Sequence, residues 1–535
     1  MSQVVAIGLD AADPALIEEW LDQGYLPNLN RLRQQGAYGR LANLEYYKAE
    51  TAWTTFLTGC QPQRTGYWTP IQYHPQTYSV VEGGAYDYRQ YPPFYAFAPG
   101  KRVAVFDMPQ TVLDPRVDGL QVLAWGAHSP QTPSHSLPPE VLPALIARHG
   151  GHPALHKDHG DWYDQAYLTR LQAALHEGVR LRTAICRELL QQPWDLFLTV
   201  FSETHSAGHD LWYLSQPDHP LYDPQATTSP LRQVYEDVDR AIGQLLADVP
   251  AETAVVVFST HGSGPNNTDV PSMILLPELL YRFSFAGQSR LSTASGRKPS
   301  LLRPPMGRGD WSQRVHRLSD KNPLKRLLKQ AIPGRLHRRL GWKPPMGPLA
   351  WQPTTWYQPD WPRMKAFALP SFSEGYIRIN LQGREPHGII TPDGYNTLCD
   401  ELTTLLYQLQ DGRTGQPMVK KVLRTRSGPQ DDSLNLPDAD LVVVWQDEPT
   451  DLLESPLGRI GPVPYRRTGS HRPEGFIFAR TPQTLPGSAL QGHVVDLAAT
   501  LLELMGSELP AHLEGRPLVG IATVLSDPKT IAAPI

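Results

Sequence analysis

Short continuous apolar runs alternate, through the first half of the chain, with stretches whose apolar residues recur every three or four positions. VVAIGL, VAVF, DLFLTVF and AVVVF read as strands buried on both faces, as parallel sheet requires, and the stretches between them as amphipathic helices. The helix signals are specific: DPALIEEWLDQG places Pro14 in a first turn and Gly24 past an end, and PNLNRLRQQG closes on Gly36. TAWTTFLTG reads as a short helix and GLQVLAWGAH as a strand, with long helices expected near 165–190 and 229–247. Strand and helix in turn predict an α/β fold, a three-layer α/β/α sandwich around a mostly parallel central sheet.

After residue 279 the pattern breaks. Residues 280–360 are rich in proline and strongly basic, with fifteen Lys or Arg against Asp310 and Asp320 between 290 and 343. The formal net charge of the whole chain is only -4, so the remainder is acidic. A block of this kind reads as a solvated insertion or as one that steers anionic partners. Within it Leu324, Leu327, Leu328, Ala331, Leu336 and Leu340 fall near one helical face ringed by Lys and Arg, a pattern that suits packing on the domain or peripheral contact with a membrane. From 361 to 435, FALPSFSEGYIRINL, a helix around 393–410 and MVKKVLRTR predict a small α+β subdomain. DLVVVW and HVVDLAATLLELMG then return to the core, so that residues 436–525 complete what 1–279 begins.

Composition narrows the picture further. The chain has 535 residues, 40% of them hydrophobic, which is ordinary for a large globular protein. Cys60, Cys186 and Cys399 are far apart and form no CxxC pair, which argues against a disulfide framework or a thiolate metal site and fits a reducing compartment. No apolar stretch is long enough to span a membrane and the first residues go straight into a strand, so a cytoplasmic location is expected.

Candidate chemistry stands at the ends of the apolar runs: Asp10 after VVAIGL, His205 and His209 after DLFLTVF, His261 after AVVVF, and His471 before GFIFA. Strand ends beside short loops are where an α/β sheet gathers ligands. His205 and His209, four apart, share a helical face and can grip one ion, although surface histidines show the same spacing. Gly262 and Gly264 leave room for close approach beside His261, which also reads as a turn histidine, and His471 has the same ambiguity. Asp10 would serve as a helix cap, a role that Asp13 fills better.

Taken in order, GLDAADPALIEEW with PNLNRLRQQGAYGRL, AWTTFLTG, GHDLW, FSTHGSGPN, GSHRPEG and VVDLAATLLELMG with LEGRPL run from residue 4 to about 518. In these motifs the chain resembles the alkaline phosphatase superfamily, in its type I phosphodiesterase and nucleotide pyrophosphatase branch. The resemblance implies an alkaline phosphatase-like sandwich and two divalent ions, usually zinc with manganese as the alternative, acting on a phosphoryl centre. It maps Asp10 and His261 to one ion and His205, His209 and His471 to the other. It also implies a phosphodiesterase-like hydrolase of phosphoric esters. The alternatives are a phosphomonoesterase, a headgroup phosphotransferase or a degenerate metal-binding protein. Partners would be a phosphate-ester small molecule, a nucleotide or a lipid or glycan headgroup, and nucleic acid is not expected.

Three positions depart from the family pattern: His205 and Thr260 stand where an Asp is usual, and Ala49 where the nucleophilic threonine is usual. Thr51 is the nearest hydroxyl and becomes the expected nucleophile and metal ligand, although it also reads as a plain helix N-cap. Glu50 is an extra candidate ligand, and Asn266, His128 and Arg467 are candidate substrate contacts. Cys60 begins a CxPxR sequence like that of sulfatases, but it follows Thr58 and Gly59 at the far end of the helix, away from the metals that would have to activate it.

Overall fold

The computed structural model describes residues 3–127, 132–155, 162–219, 221–226, 228–291, 311–318, 349–431, 433 and 435–518. Among these residues the central sheet has nine strands, in the order Ser488–His493, Ala37–Ala42, Gly475–Arg480, Ala254–Ser259, Val4–Leu9, Leu196–Phe201, Arg102–Phe106, Asp118–Leu123 and His135–Leu137. The five strands from Ala254–Ser259 to Asp118–Leu123 are parallel, and Gly475–Arg480 and His135–Leu137 run antiparallel on either side of them. Alternation along each strand divides the side chains between two cores. Val5, Ile7, Phe197 and Val257 pack beneath the helices Pro14–Asp22, Pro27–Gln35, Gln165–Leu189 and Pro230–Ala247. Val4, Ala6, Leu198 and Val256 face the helices Lys48–Thr58 and Asp496–Leu504. This is the three-layer α/β/α arrangement that the alternating pattern predicts.

The strands Ala37–Ala42 and Ser488–His493 interrupt their apolar residues with polar ones and give no continuous apolar run, so neither stands out in the sequence pattern. A second correction concerns DLVVVW. Its strand, Leu441–Trp445, does not return to the central sheet but pairs with Gly375–Ile379 and Val419–Arg424 in a separate four-stranded antiparallel sheet. The smaller lobe therefore extends past residue 435. Five apolar residues fit the interior of either sheet, and only tertiary pairing decides between them. Of the basic segment, the run 324–340 lies outside the described residues. No described helix is long and apolar enough to cross a membrane.

Candidate metal centre

Parallel pairing brings the chemistry to one sheet edge. Leu9 lies opposite Phe201, and Gly8 opposite Phe258, so Asp10, the helix Glu203–Asp210 and His261 all leave the sheet at neighbouring carboxyl ends. His471 arrives from elsewhere in the chain, on the short strand Gly469–Arg472, which pairs with Gly262–Pro265 and sets His471 opposite Ser263. This close approach needs glycine, because a Cβ on Gly469 would lie 1.7 Å from the Gly208 carbonyl oxygen.

His205, His209 and His471 converge, their ligating atoms all within 4.8 Å of one another. Two zinc–nitrogen bonds of about 2.0–2.1 Å at a tetrahedral angle hold their nitrogens roughly 3.3–3.4 Å apart. The Nε2 atoms of His205 and His209 are 3.2 Å apart. His209 Nδ1 donates to the Gly469 carbonyl at 3.0 Å, which places its proton there and turns the Nε2 lone pair toward the other rings. His471 Nδ1 is buried without a hydrogen-bond partner. Burial, then the Arg467 charge and the neighbouring rings, hold His209 well below the usual histidine pKa. Burial and the surrounding histidines and cations do the same to His471. Neutral imidazole is the ligand form, so His209 and His471, with His205 converging on them, fit a divalent ion.

The seat of the Glu203–Asp210 helix is ionic. Arg182, fully buried, bridges Asp107 at 2.8 Å and Glu203 at 3.0 Å, and His152 Nε2 meets Glu203 at 3.0 Å. Burial raises the Glu203 carboxyl, but the Arg182 charge and the His152 hydrogen bond outweigh it and hold it down at about 2. Glu203 thus anchors the first turn and leaves the two histidines to face the site.

The Asp10 and His261 side is built differently. Asp10 Oδ1 accepts from Trp53 Nε1 at 3.0 Å and lies 4.0 Å from His261 Nε2. His261 Nδ1 pairs with the Thr260 hydroxyl at 3.0 Å, and burial drives its pKa down to about 3. The helix expected to start at Thr51 starts at Lys48, after Tyr47 in a left-handed conformation (φ 53°). Thr51 is therefore one turn inside the helix: its N–H and its hydroxyl both donate to the Tyr47 carbonyl, at 3.0 and 2.8 Å. Glu50, the candidate extra ligand, turns toward the smaller lobe. Its carboxylate accepts from Phe372 N at 3.2 Å, Ser373 Oγ at 2.8 Å and Tyr376 OH at 3.2 Å. Burial, with Glu374 close by, raises its pKa to about 7.

Lys48, which the sequence reading missed, is buried and paired with buried Glu374, and its charge helps to depress His471. Its significance depends on a partner 326 positions away in the chain, and no local pattern signals that. Of the candidate substrate contacts, Arg467 reaches the centre. Its Nη1 donates to His209 Nε2 at 2.9 Å, while its Nε donates to buried Asp269 at 2.8 Å. Asn266 is instead spent on the chain: its amide donates to the Arg467 carbonyl at 3.0 Å and its side-chain oxygen accepts from Asp269 N at 3.1 Å. It steadies the Arg467 loop rather than facing a ligand. His128 lies outside the described residues.

Residues 4–358 match the family described as type I phosphodiesterase / nucleotide pyrophosphatase. Among solved structures, a phosphonoacetate hydrolase from Sinorhizobium meliloti, in complex with phosphonoformate, aligns over 95% of each chain with a TM-score of 0.48 and 15% identity. Murine ectonucleotide pyrophosphatase/phosphodiesterase 5 aligns over 95% of this chain and 96% of its own, with a TM-score of 0.45 and 12% identity. No curated protein sequence matches. The chain belongs to the type I phosphodiesterase/nucleotide pyrophosphatase family, hydrolases of phosphoric esters that depend on divalent metals.

Proposed function

We propose that the protein hydrolyses phosphodiesters, holding a divalent ion on His205, His209 and His471 and the phosphoryl oxygens with Arg467. The observation that carries this reading is the convergence of three buried imidazoles in a chain of this family. Bound there, an ion supplies Lewis-acid polarisation of a phosphoryl oxygen and a lowered pKa for water. The protein's own residues bind and orient. Asp269 fixes the guanidinium plane of Arg467 beside His209, where its planar fork suits two phosphoryl oxygens. Trp53 holds Asp10 in place.

Charge balance favours a diester. Arg467 is neutralised by Asp269 and Lys48 by Glu374, so neither adds net charge to the site. A phosphodiester brings one negative charge, whereas a monoester near neutral pH brings close to two. An all-imidazole set favours zinc over magnesium, with manganese a poorer fit. With Ala49 at the helix start and the Thr51 hydroxyl donated to Tyr47, water is the attacking group in this reading. The alcohol that leaves belongs to a nucleotide or to a lipid or glycan headgroup.

The test compares bis-p-nitrophenyl phosphate, p-nitrophenyl phosphate and p-nitrophenyl sulfate, with zinc and with manganese, for wild type and His209→Ala. Diester turnover that disappears in His209→Ala is expected. Faster monoester turnover, or none on any substrate by metal-loaded protein, overturns the reading.

A further inference from the structure

We infer that Trp162 and Trp311 are positioning residues for Arg467, and that the core of the large sheet and the smaller lobe align its guanidinium together, through one indole each. The inference rests on the proposed function for what Arg467 binds, and on hydrogen bonds within the chain for how it is held.

The chain just before Arg467 is gripped from both sides. The Pro464 carbonyl accepts from Trp311 Nε1 at 2.8 Å, and the Tyr465 carbonyl accepts from Trp162 Nε1 at 3.2 Å. Trp162 belongs to the core beneath the helices Gln165–Leu189 and Pro230–Ala247, Trp311 belongs to the core of the smaller lobe, and Tyr465 packs against both. Trp311 opens the helix Trp311–Arg317, a described stretch of the basic segment. That helix also touches both lobes. The Arg314 guanidinium lies 3.6 Å from the ring centre of Tyr163, the residue after Trp162, and the His316 ring lies 5.3 Å from that of Trp356.

Just after Arg467 the chain is tied to the metal side. Thr468 N donates to the His209 carbonyl at 3.1 Å, and the Thr468 carbonyl accepts from Asn266 N at 2.9 Å. The Arg467 carbonyl accepts from Asn266 Nδ2 at 3.0 Å. The carbonyls of residues 464, 465, 467 and 468 are thus all engaged, and Asp269 orients the side chain itself. Indole suits the upstream hold, because the ring is rigid and its N–H, once buried, needs an acceptor. A loop fixed beforehand has less to lose in order when an anion arrives. A shift of either lobe would carry one indole with it and turn the guanidinium away from His209.

The experiment uses the zinc-loaded full chain with Trp162→Phe and Trp311→Phe, which keep an aromatic ring and lose the N–H. Hydrogen exchange of the amides in 465–470 is read first and needs no anion. Each variant should speed exchange of the Thr468 amide about fivefold, the equivalent of one net hydrogen bond, with zinc content and exchange in Val4–Leu9 unchanged. Inorganic phosphate is then titrated calorimetrically. Each variant should weaken phosphate about fivefold, but change it less than about twofold in an Arg467→Gln background. Phosphate affinity unchanged in both variants, or lost equally in the two backgrounds, overturns the inference. Faster exchange in a protein whose wild type binds no phosphate refutes the anion role given to Arg467 and leaves the brace standing. Diester turnover and phosphate affinity unmoved by either variant do the reverse.

Discussion

The two sides of the centre grow from one sheet edge and differ in what their side chains are free to do. On the side of His205, His209 and His471, one hydrogen bond to a backbone carbonyl fixes the His209 tautomer and turns its Nε2 lone pair toward the other two rings, where Arg467 Nη1 also donates to it. On the side of Asp10 and His261, residues of suitable type are present but committed: the Thr51 hydroxyl to a helix carbonyl, and the Glu50 carboxylate to three donors of the smaller lobe. Residue type alone does not make a ligand. Lone pairs that converge on one point do.

The largest effect expected from breaking this contrast is at Arg467, the cation that leans on the complete side. Arg467→Gln should lower kcat/KM for a diester about 10²–10³-fold, since it removes a donor aimed at developing charge. Steady-state kinetics within threefold of wild type would remove Arg467 from the site. Next comes Glu50, on the committed side. Its folded pKa of about 7 lies above the unfolded value, so the folded state holds an extra proton between about 4.5 and 7. Any stability that this proton confers is present at low pH and is lost as pH rises through about 7. Between pH 5 and 8, wild type should therefore lose about 2–3 kcal/mol more than Glu50→Gln in urea unfolding. Parallel pH profiles would show that Glu50 ionises alike in the folded and unfolded states. The smallest effect is expected at Thr51. Thr51→Ala should cost about 1 kcal/mol of stability and leave diester turnover within threefold of wild type. A loss of more than a hundredfold would make Thr51 the nucleophile and close the gap between the two sides.

The sequence displayed the sandwich well, because strands buried on both faces appear as unbroken apolar runs and helices as three-and-four spacing. It hid Ala37–Ala42 and Ser488–His493, whose exposed faces are polar, and it could not say which sheet Leu441–Trp445 would join. At the centre, the strand-end position of His205 and His209 was legible from a short spacing. The engagements of Glu50 and Lys48 were not, since their partners lie more than 300 positions away. The start of the Lys48–Thr58 helix was misplaced by three residues. Tyr47 enters it in a left-handed conformation more typical of glycine, and no N-capping side chain marks the boundary.

That entry at Tyr47 makes the molecule less modular than its two sheets suggest. The Tyr47 ring stacks on Tyr376 of the smaller lobe at 4.1 Å, and its N–H donates to Glu374, the same carboxylate that balances Lys48. Excising the smaller lobe would deprive the helix of its entry clamp and the buried ammonium of its counter-ion. The lobe and the centre are one physical unit, and a shortened version reduced to the large sheet would keep the histidines but lose the mould that shapes the opposite wall.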